Sequence, residues 1–312
     1  MRTFAVVNPR SGNGRTGRMQ TEIASKLADV CGPITVGVTR GPMDAAALTS
    51  QALLDGFDQI VAVGGDGTIN EVVNGFFKNG AALNPEAQLA LLTNGTGGDF
   101  RRTFGIEDGL AASLKRIAEG RPKRIDVGKL SYVTADGKPA LRYFANIASF
   151  GLSGEVVGRV NRARWSKLLG GKFAFRWGAL RAALSYKNKP VRLKVDNVFD
   201  EVLTVSTVAV CNGRFFGGGM KVAPDAQPDD GLFDVIVLGD APRGQGMRDM
   251  NKLYTGEHVR LPYVKVMRGA SVIATPVQAT ERASVLLDVD GEGPGQLPAM
   301  FDVMHKAISF RC

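Results

Sequence analysis

Short apolar runs alternate with helical patterns along the first hundred residues of the chain. Each apolar run has the length of a buried strand, and most of the loops that follow lead into apolar residues at helical spacing. The predicted strands cover residues 3–7, 34–39, 59–63 and 89–93, and the predicted helices cover residues 18–30, 44–54 and 68–77. This alternation predicts a parallel sheet with helices on both faces.

The pattern changes after about residue 123, where strands dominate. Further strands are predicted at residues 125–130, 142–147, 191–195, 202–211, 233–238, 263–268, 271–274 and 285–289, which is typical of an antiparallel β domain. The 155–194 stretch interrupts them, and its apolar spacing predicts one or two amphipathic helices. Because 312 residues are many for one hydrophobic core, we expect two domains.

The net charge of +9 is concentrated in one segment. Residues 155–194 contain eleven Lys or Arg against one acid, so this segment carries +10 and the rest of the chain about −1. A near-neutral protein with one basic segment favours a local docking surface over nucleic-acid binding. Three scattered cysteines favour a reducing compartment. Since no apolar run resembles a signal peptide or a membrane span, we expect a cytoplasmic protein.

Three glycine-rich loops follow predicted strands and indicate phosphate binding. Glycine allows backbone N–H groups to approach an anion closely, and the N-terminus of a following helix favours negative charge. The loops cover residues 8–14, 63–68 and 95–99. In the second loop, Asp66 adds a carboxylate for Mg²⁺ or its water shell. All three loops should line the carboxyl edge of the parallel sheet, where such folds bind ligands.

Motifs in collinear order extend from these loops across nearly the whole chain. The first half contains Asn8-Pro9-x-Ser11-Gly12, Gly64-Gly65-Asp66-Gly67-Thr68-x-Asn70-Glu71-x-x-Asn74-Gly75 and Gly95-Thr96-x-x-Asp99-Phe100. The second half contains Asn212-Gly213, Gly217-Gly218-Gly219, Ala223-Pro224-Asp225-Ala226, Asp229-Asp230-Gly231, Asp290-Gly291-Glu292 and Leu297-Pro298-Ala299. Together they resemble the diacylglycerol kinase catalytic family, which includes sphingosine kinases, ceramide kinases and bacterial soluble lipid kinases.

The resemblance implies a lipid kinase that uses ATP and Mg²⁺ and has two domains. A Rossmann-like nucleotide-binding α/β domain would cover residues 1–124, and an antiparallel β-sandwich residues 125–298, with residues 299–312 returning to the first domain. The implied ATP contacts are Asn8, Pro9, Arg10, Ser11, Gly12, Thr39, Gly65, Asp66, Gly67, Thr68, Asn70, Glu71, Thr96 and Asp99. The implied Mg²⁺ ligands are the Asp230 carboxylate and the backbone oxygens of Gln227 and Leu232, with Asp66 and Asp99 in the surrounding water network.

Asp290 and Glu292 flank Gly291 in a predicted turn after an apolar strand. Either carboxylate could accept the proton of a lipid hydroxyl, and the resemblance assigns the base role to this turn without choosing between them. Two departures from the family pattern concern the nucleotide. Gly98 stands where the family usually has Asn, and Asn94 stands near its customary Pro, so we expect one side-chain contact to be missing.

The acceptor and two rival functions remain as alternatives. A diacylglycerol-like lipid is the favoured acceptor, and ceramide or a sphingoid base is the alternative. An NAD kinase shares the Gly-Gly-Asp-Gly-Thr loop, but the Asn70-Glu71-x-x-Asn74-Gly75 continuation and the Asp290-Gly291-Glu292 turn favour a lipid kinase. A non-catalytic lipid- or nucleic-acid-binding protein would explain the basic segment but not the collinear motifs.

The basic segment predicts peripheral contact with the anionic inner face of a membrane, where a lipid acceptor lies. Its apolar members would enter the interface: Trp165, Leu168, Leu169, Phe173, Phe175 and Trp177. The alternative is a solvated basic face whose aromatic residues pack on the β domain. The sequence leaves dimerisation open.

Overall fold

The first half of the chain is an α/β unit. The computed structural model describes residues 1–93, 98–162, 186–241, 244–277 and 284–312. The first strands are β1 (Thr3–Val7), β2 (Ile34–Val38), β3 (Gln59–Gly64), β4 (Phe77–Lys78), β5 (Ala81–Ala82) and β6 (Gln88–Thr93). The helices are α1 (Arg15–Arg18), α2 (Gln20–Cys31), α3 (Asp44–Leu54), α4 (Asp66–Gly75), α5 (Asp99–Thr103) and α6 (Leu110–Glu119). The predicted alternation of strands and helices is therefore confirmed.

The second half is rich in antiparallel strands. They are β7 (Pro122–Val133), β8 (Pro139–Phe144), β9 (Ile147–Gly151), β10 (Lys189–Val195), β11 (Phe199–Cys211), β12 (Phe233–Gly239), β13 (Val264–Gly269), β14 (Ser271–Pro276), β15 (Leu287–Val289) and β16 (Gln296–Arg311). Helix α7 spans Leu152–Arg162, α8 spans Gln245–Arg248 and α9 spans Lys252–Thr255, with 3-10 turns at Asp249–Asn251 and Glu257–Arg260. No helix in the described ranges combines the length and the apolar character that crossing a bilayer requires.

Strand β16 joins the two halves. Strands β2, β1, β3 and β6 lie side by side in that order and pair in parallel. The last part of β16 adds to this sheet in parallel, with Ser309 and Phe310 opposite Gln88 and Leu89 of β6. Its first part pairs antiparallel with β14, and β7 runs antiparallel along most of its length. One strand therefore belongs to both the parallel and the antiparallel region.

Hydrophobic cores lie on both faces of the parallel sheet and inside the antiparallel region. Ile60 and Ala62 of β3 pack on one face, and Val61 and Val63 pack on the other, because successive strand residues point to opposite sides. The parallel strands are buried on both sides, which is why they appear in the sequence as unbroken apolar runs. A separate core in the antiparallel region includes Phe150 and Phe301, with ring centroids 6.2 Å apart.

Two features of the β region differ from the expectations. The predicted strand at residues 142–147 is wrong, because β8 ends at Phe144 and β9 begins at Ile147. Between them, the Asn146 carbonyl accepts the N–H groups of Asn212 and Gly213, which lie outside the named strands. Strand β16 was not predicted as a strand, because its regular burial is interrupted at exposed His305 and Lys306. Helix α7 covers the start of the 155–194 stretch where helices were predicted. The rest of that stretch up to residue 185, with the predicted membrane-facing apolar residues, lies outside the described residues.

Candidate active site

The glycine-rich loops meet at the carboxyl edge of the parallel sheet. Val7 at the end of β1 lies opposite Val63, and Gly64 at the end of β3 lies opposite Thr93 at the end of β6. The loops that follow these strands therefore leave the sheet side by side, as the sequence predicted. Thr39 joins the same edge, because its N–H donates to the Val7 carbonyl at 2.9 Å. Of the third loop, residues 94–97 lie outside the described residues, and with them the predicted contact Thr96.

Asn8 connects the first loop to the second. Its side-chain amide donates to Thr68 Oγ1 at 3.0 Å, and its Oδ1 accepts the backbone N–H of Arg10 at 3.0 Å. Further along, the Gly17 N–H donates to the Pro9 carbonyl, and the Ser11 and Thr16 hydroxyls lie 2.6 Å apart. Gly12 adopts a positive φ of 57°. These contacts shape the first loop around its own backbone and hold it against the second.

The second loop approaches its helix too closely for any side chain at Gly64. A Cβ there would lie 2.3 Å from Thr68 Oγ1. Gly65 then caps α4, and the first N–H groups of this helix face the edge where the loops converge. Gly67 lies in the first turn, and Glu292 Oε1 is 4.0 Å from the position that a Cβ on Gly67 would take. The turn that carries Glu292 therefore lies against the predicted phosphate loop.

Asp66 holds the start of α5. Its carboxylate accepts the backbone N–H groups of Gly98 at 2.7 Å, Asp99 at 3.2 Å and Phe100 at 3.3 Å. Sequence reasoning did not find this capping role, because the capped helix lies 32 residues away from the cap. Asp99 in turn accepts the Gly218 N–H at 2.7 Å and an Arg102 N–H at 2.6 Å. Burial is the main reason that the pKa of Asp99 is raised.

Asp290 lies in a tight turn and is held at both carboxylate oxygens. The turn is closed by reciprocal backbone bonds between Val289 and Glu292, and both Asp290 and Gly291 have positive φ, at 49° and 90°. Asp290 Oδ1 accepts the Ile147 N–H at 2.8 Å, and Oδ2 accepts the Asn70 amide at 2.9 Å. Because Asn70 belongs to α4, this bond fixes one of the two predicted base candidates against the helix that begins at the second glycine-rich loop.

Burial raises the pKa of three carboxyl groups at this turn. The pKa of Asp290 is raised to about 6, mainly by burial, and the Ile147 N–H and the Asn70 amide limit the rise. The pKa of Asp288, which sequence reasoning did not select, is raised to about 7 by burial and by neighbouring carboxylates. The pKa of Glu292 is raised by burial and by Glu71, while Arg142 lowers it. Asp290 therefore titrates in the range that suits a base near neutral pH.

The remaining motif residues of α4 position their neighbours. Asn74 exchanges two hydrogen bonds with the backbone of Tyr143, each at 2.9 Å. The Glu71 carboxylate accepts the Ala45 N–H at 3.1 Å, near the start of α3. Arg142, the residue before Tyr143, donates to Asn70 Oδ1 at 3.0 Å. Helix α4 thus connects the phosphate loop, the acidic turn (residues 288–292) and strand β8.

Comparison with known proteins agrees with this arrangement. The family model for the diacylglycerol kinase catalytic domain matches residues 2–130. A second model, described as the YegS C-terminal NAD kinase beta sandwich-like domain, matches residues 146–311, which is more than half of the chain. The chain belongs to the diacylglycerol kinase family. It is accordingly a lipid kinase with an α/β domain and an antiparallel β-sandwich.

Relatives of this kinase family align over almost the full length of the chain. A diacylglycerol kinase of Staphylococcus carnosus is 29% identical over 302 residues, covering 96% of this chain and 91% of the relative. A diacylglycerol kinase of Bacillus subtilis is 29% identical over 310 residues, covering 98% and 95%. A crystal structure from Bacillus anthracis, provisionally described as a diacylglycerol kinase, has a TM-score of 0.77 at 23% identity, covering 99% and 94%. The last comparison shows a shared fold.

The predicted metal loop of this kinase is anchored on several sides. Asp230 Oδ1 accepts the Leu232 N–H at 3.1 Å, and Oδ2 accepts a hydrogen bond from the Arg268 guanidinium. Buried Asp126 accepts the Gly231 N–H at 2.7 Å, while its own N–H donates to the Pro228 carbonyl. Within the described ranges, no cluster of three or more His, Cys, Asp or Glu side chains could hold a metal ion. The predicted ligand set of one carboxylate and two carbonyls stays a prediction.

Proposed function

We propose that this lipid kinase transfers the γ-phosphate of ATP to the hydroxyl of a diacylglycerol-like lipid, with Mg²⁺ as its cofactor. The observation that carries the proposal is the 2.9 Å bond between Asp290 Oδ2 and Asn70. This bond holds a carboxylate that could accept a proton against the helix that begins at the predicted phosphate loop. Positioning of donor, base and acceptor is most of what phosphoryl transfer requires from a protein.

In the proposed reaction, ionised Asp290 accepts the proton of the lipid hydroxyl as the hydroxyl oxygen attacks the γ-phosphorus. The new oxygen–phosphorus bond forms while the bond to the β,γ-bridging oxygen breaks, and ADP leaves with that electron pair. Asp290 is favoured over Glu292 because it is held at both oxygens and its pKa of about 6 leaves it ionised at neutral pH. The N–H groups at the start of α4 would bind the donor's phosphates.

The donor atoms of the 227–232 loop suit Mg²⁺, since a carboxylate and backbone carbonyls are hard oxygen ligands. Asp230, Gln227 and Leu232 would hold the ion, and Asp230 would share its carboxylate between the ion and Arg268. When bound, Mg²⁺ would offset negative charge near the phosphates. Thermal unfolding tests this assignment without an activity assay. Mg²⁺ should raise the melting temperature of the wild type and of Asp136→Asn, an exposed control, but not of Asp230→Asn.

The assay for the main proposal is transfer of labelled γ-phosphate to diacylglycerol, ceramide, a sphingoid base and NAD in parallel mixed-micelle reactions. Label on diacylglycerol that falls by on the order of 10²- to 10⁴-fold in Asp290→Asn is the expected result. Label on ceramide or a sphingoid base instead would change the proposed acceptor but leave the proposed reaction intact. Label on NAD alone, or on no acceptor although ATP binds, would contradict the proposal.

We further propose that the basic 155–194 segment binds an anionic membrane peripherally, bringing the site to its acceptor. The charge pattern supports this, although several described members already have protein partners. Arg159 pairs with Glu155 at 3.4 Å. Lys189 donates to the Ser284 carbonyl, and Arg192 pairs with Asp200 at 2.8 Å. Flotation with vesicles should show binding that requires anionic lipid and weakens with salt. Equal binding to neutral vesicles, or none at low salt, would contradict it.

A further inference from the structure

Arg142 lies at the site but belongs to none of the family motifs. It lies in β8, outside every glycine-rich loop, and its guanidinium reaches α4. One N–H donates to Asn70 Oδ1 at 3.0 Å, while the amide of the same Asn70 donates to Asp290 Oδ2 at 2.9 Å. Arg142 therefore bonds to the oxygen of the Asn70 side-chain amide, and Asp290 bonds to its nitrogen. A guanidinium thus lies within one residue of the proposed proton acceptor.

The same guanidinium acts electrostatically on Glu292, which lies against the phosphate loop. Glu292 Oε1 is 4.0 Å from the position that a Cβ on Gly67 would take, and the positive charge of Arg142 offsets part of the rise in the Glu292 pKa that burial causes. Around this point lie the carboxylates of Asp66, Glu71, Asp288, Asp290 and Glu292. Arg142 is a cation that acts on this acidic turn through Glu292. The region between loop and turn is where a transferred phosphoryl group must pass.

Arg142 also has a hydrogen-bond donor that is unpaired among the described residues. Its Nε–H is buried and has no partner among the described residues, which costs free energy unless a ligand completes the pairing. A guanidinium matches the oxygens of a phosphoryl group with two parallel N–H donors, which an ammonium cannot do. In the transfer step the charge spreads over three equatorial oxygens, and a positioned arginine is a common way to stabilise it.

We propose that Arg142 is a further catalytic residue, whose guanidinium binds the phosphoryl group during its transfer from ATP to the lipid hydroxyl. This rests on the proposed function. The bond changes are those already described, and Arg142 neither gains nor loses a proton. Because the contact forms in the transition state, it should affect kcat more than the binding of ATP.

The test compares Arg142→Met and Arg142→Lys with Arg124→Met, a control in β7 whose partner is the exposed Glu86. Arg142→Met should lower kcat by on the order of 10²-fold or more with little change in the KM for ATP. Arg142→Lys should recover only part of the loss. Arg124→Met should behave as wild type. The Arg142 variants should also bind ATP normally but lose the tight binding of ADP with aluminium fluoride, which mimics the transferred group.

These readouts separate catalysis from a purely structural link between β8 and α4. A structural role predicts weaker ATP binding or a lower melting temperature, with kcat unchanged in the folded fraction. Wild-type kcat and aluminium fluoride affinity in Arg142→Met would overturn the inference alone. If Arg142→Met does not fold, wild-type values in Arg142→Lys would overturn it. Wild-type enzyme that transfers no phosphate to any lipid would overturn the proposed function as well.

Discussion

Burial shifts single carboxyl side chains at the acidic turn toward their protonated forms. Asp288 is 7% exposed, and its Oδ1 accepts the Gly291 N–H at 2.9 Å, which helps to shape the turn that carries Asp290. On its other side, Ser149 Oγ lies 3.4 Å from Asp288 Oδ2. Burial with few hydrogen-bond donors favours the protonated form of Asp288. Ionising Asp288 in the folded protein therefore costs free energy.

The acidic side of the pH–rate profile should report the ionisation of Asp290. With its pKa raised to about 6, Asp290 is protonated below that pH and cannot accept the hydroxyl proton. We expect kcat/KM to fall about tenfold for each pH unit below the inflection, which should lie near the Asp290 value. A profile from about pH 4.5 to 8 checks this. A profile that stays nearly flat down to about pH 4.5, as an aspartate with its ordinary pKa of about 3.9 would give, would contradict the assignment.

The stability of the fold should depend on Asp288. Because its pKa is raised to about 7, the folded chain keeps a proton that the unfolded chain releases near pH 4. Stability from this group is therefore full at low pH, falls as pH rises from about 4 to 7, and stays low above that. Asp288→Asn should raise the unfolding free energy by a few kcal/mol at about pH 8 and by much less at about pH 4.5. Urea unfolding at both pH values measures it, and an equal change at both would contradict it.

Helix packing explains one motif residue that has no direct role in the chemistry. Gly75 is the last residue of α4, where α3 crosses closely. A Cβ on Gly75 would lie 2.5 Å from both the Ala46 carbonyl oxygen and Thr49 Cβ. The Ser50 hydroxyl also donates to the Gly75 carbonyl at 2.9 Å. The close approach keeps α4, and with it Asn70, in a fixed position relative to the sheet.

Gly75→Ala should therefore destabilise the fold by overpacking, at a cost of about 1–3 kcal/mol. Gly41→Ala is the matched control, because a Cβ there meets nothing within 4 Å and its φ is not in the left-handed region. That variant should change stability by less than about 0.5 kcal/mol. Urea unfolding of the two variants measures the difference. Equal stability of the two proteins would show that α3 moves away without cost.

At the scale of the whole molecule, β16 makes the parallel and antiparallel regions depend on each other. Near its start, Phe301 is buried in the antiparallel core. Near its end, Phe310 is buried among the side chains of the α/β core, with ring centroids 4.8 Å from Phe104 and 5.4 Å from Phe100. The acidic turn and the phosphate loop come from these two regions, so β16 helps to fix their separation.

Phe310→Ala should destabilise the whole chain although it lies two residues from the end. Removing a fully buried aromatic ring costs about 3–5 kcal/mol. Met300→Ala is the control in the same strand, since Met300 is 39% exposed and should cost much less. Urea unfolding followed by circular dichroism measures both. Equal losses, or a loss of less than about 1 kcal/mol in Phe310→Ala, would show that the last strand is not part of the cooperative fold.

The sequence by itself determined the local elements and the edge where the loops meet. Apolar runs such as residues 59–63 had to form buried strands, and glycines after them had to turn, because these choices depend on neighbouring residues. The turn formed by Asp290, Gly291 and Glu292 could also be predicted, since it follows an apolar strand directly. Pattern reasoning reached these features because each of them depends on a few consecutive residues.

Only the tertiary structure decided which distant side chains meet. Asp66 caps α5 across 32 residues, Asn70 contacts Asp290 across 220, and Arg142 reaches Asn70 across 72. The raised pKa values of Asp288 and Asp290 likewise come from burial, which no local pattern specifies. Strand β16 was missed because exposed His305 and Lys306 interrupt its burial pattern, and its two ends are buried in different cores. Such features depend on how the elements pack, and packing is a property of the whole chain.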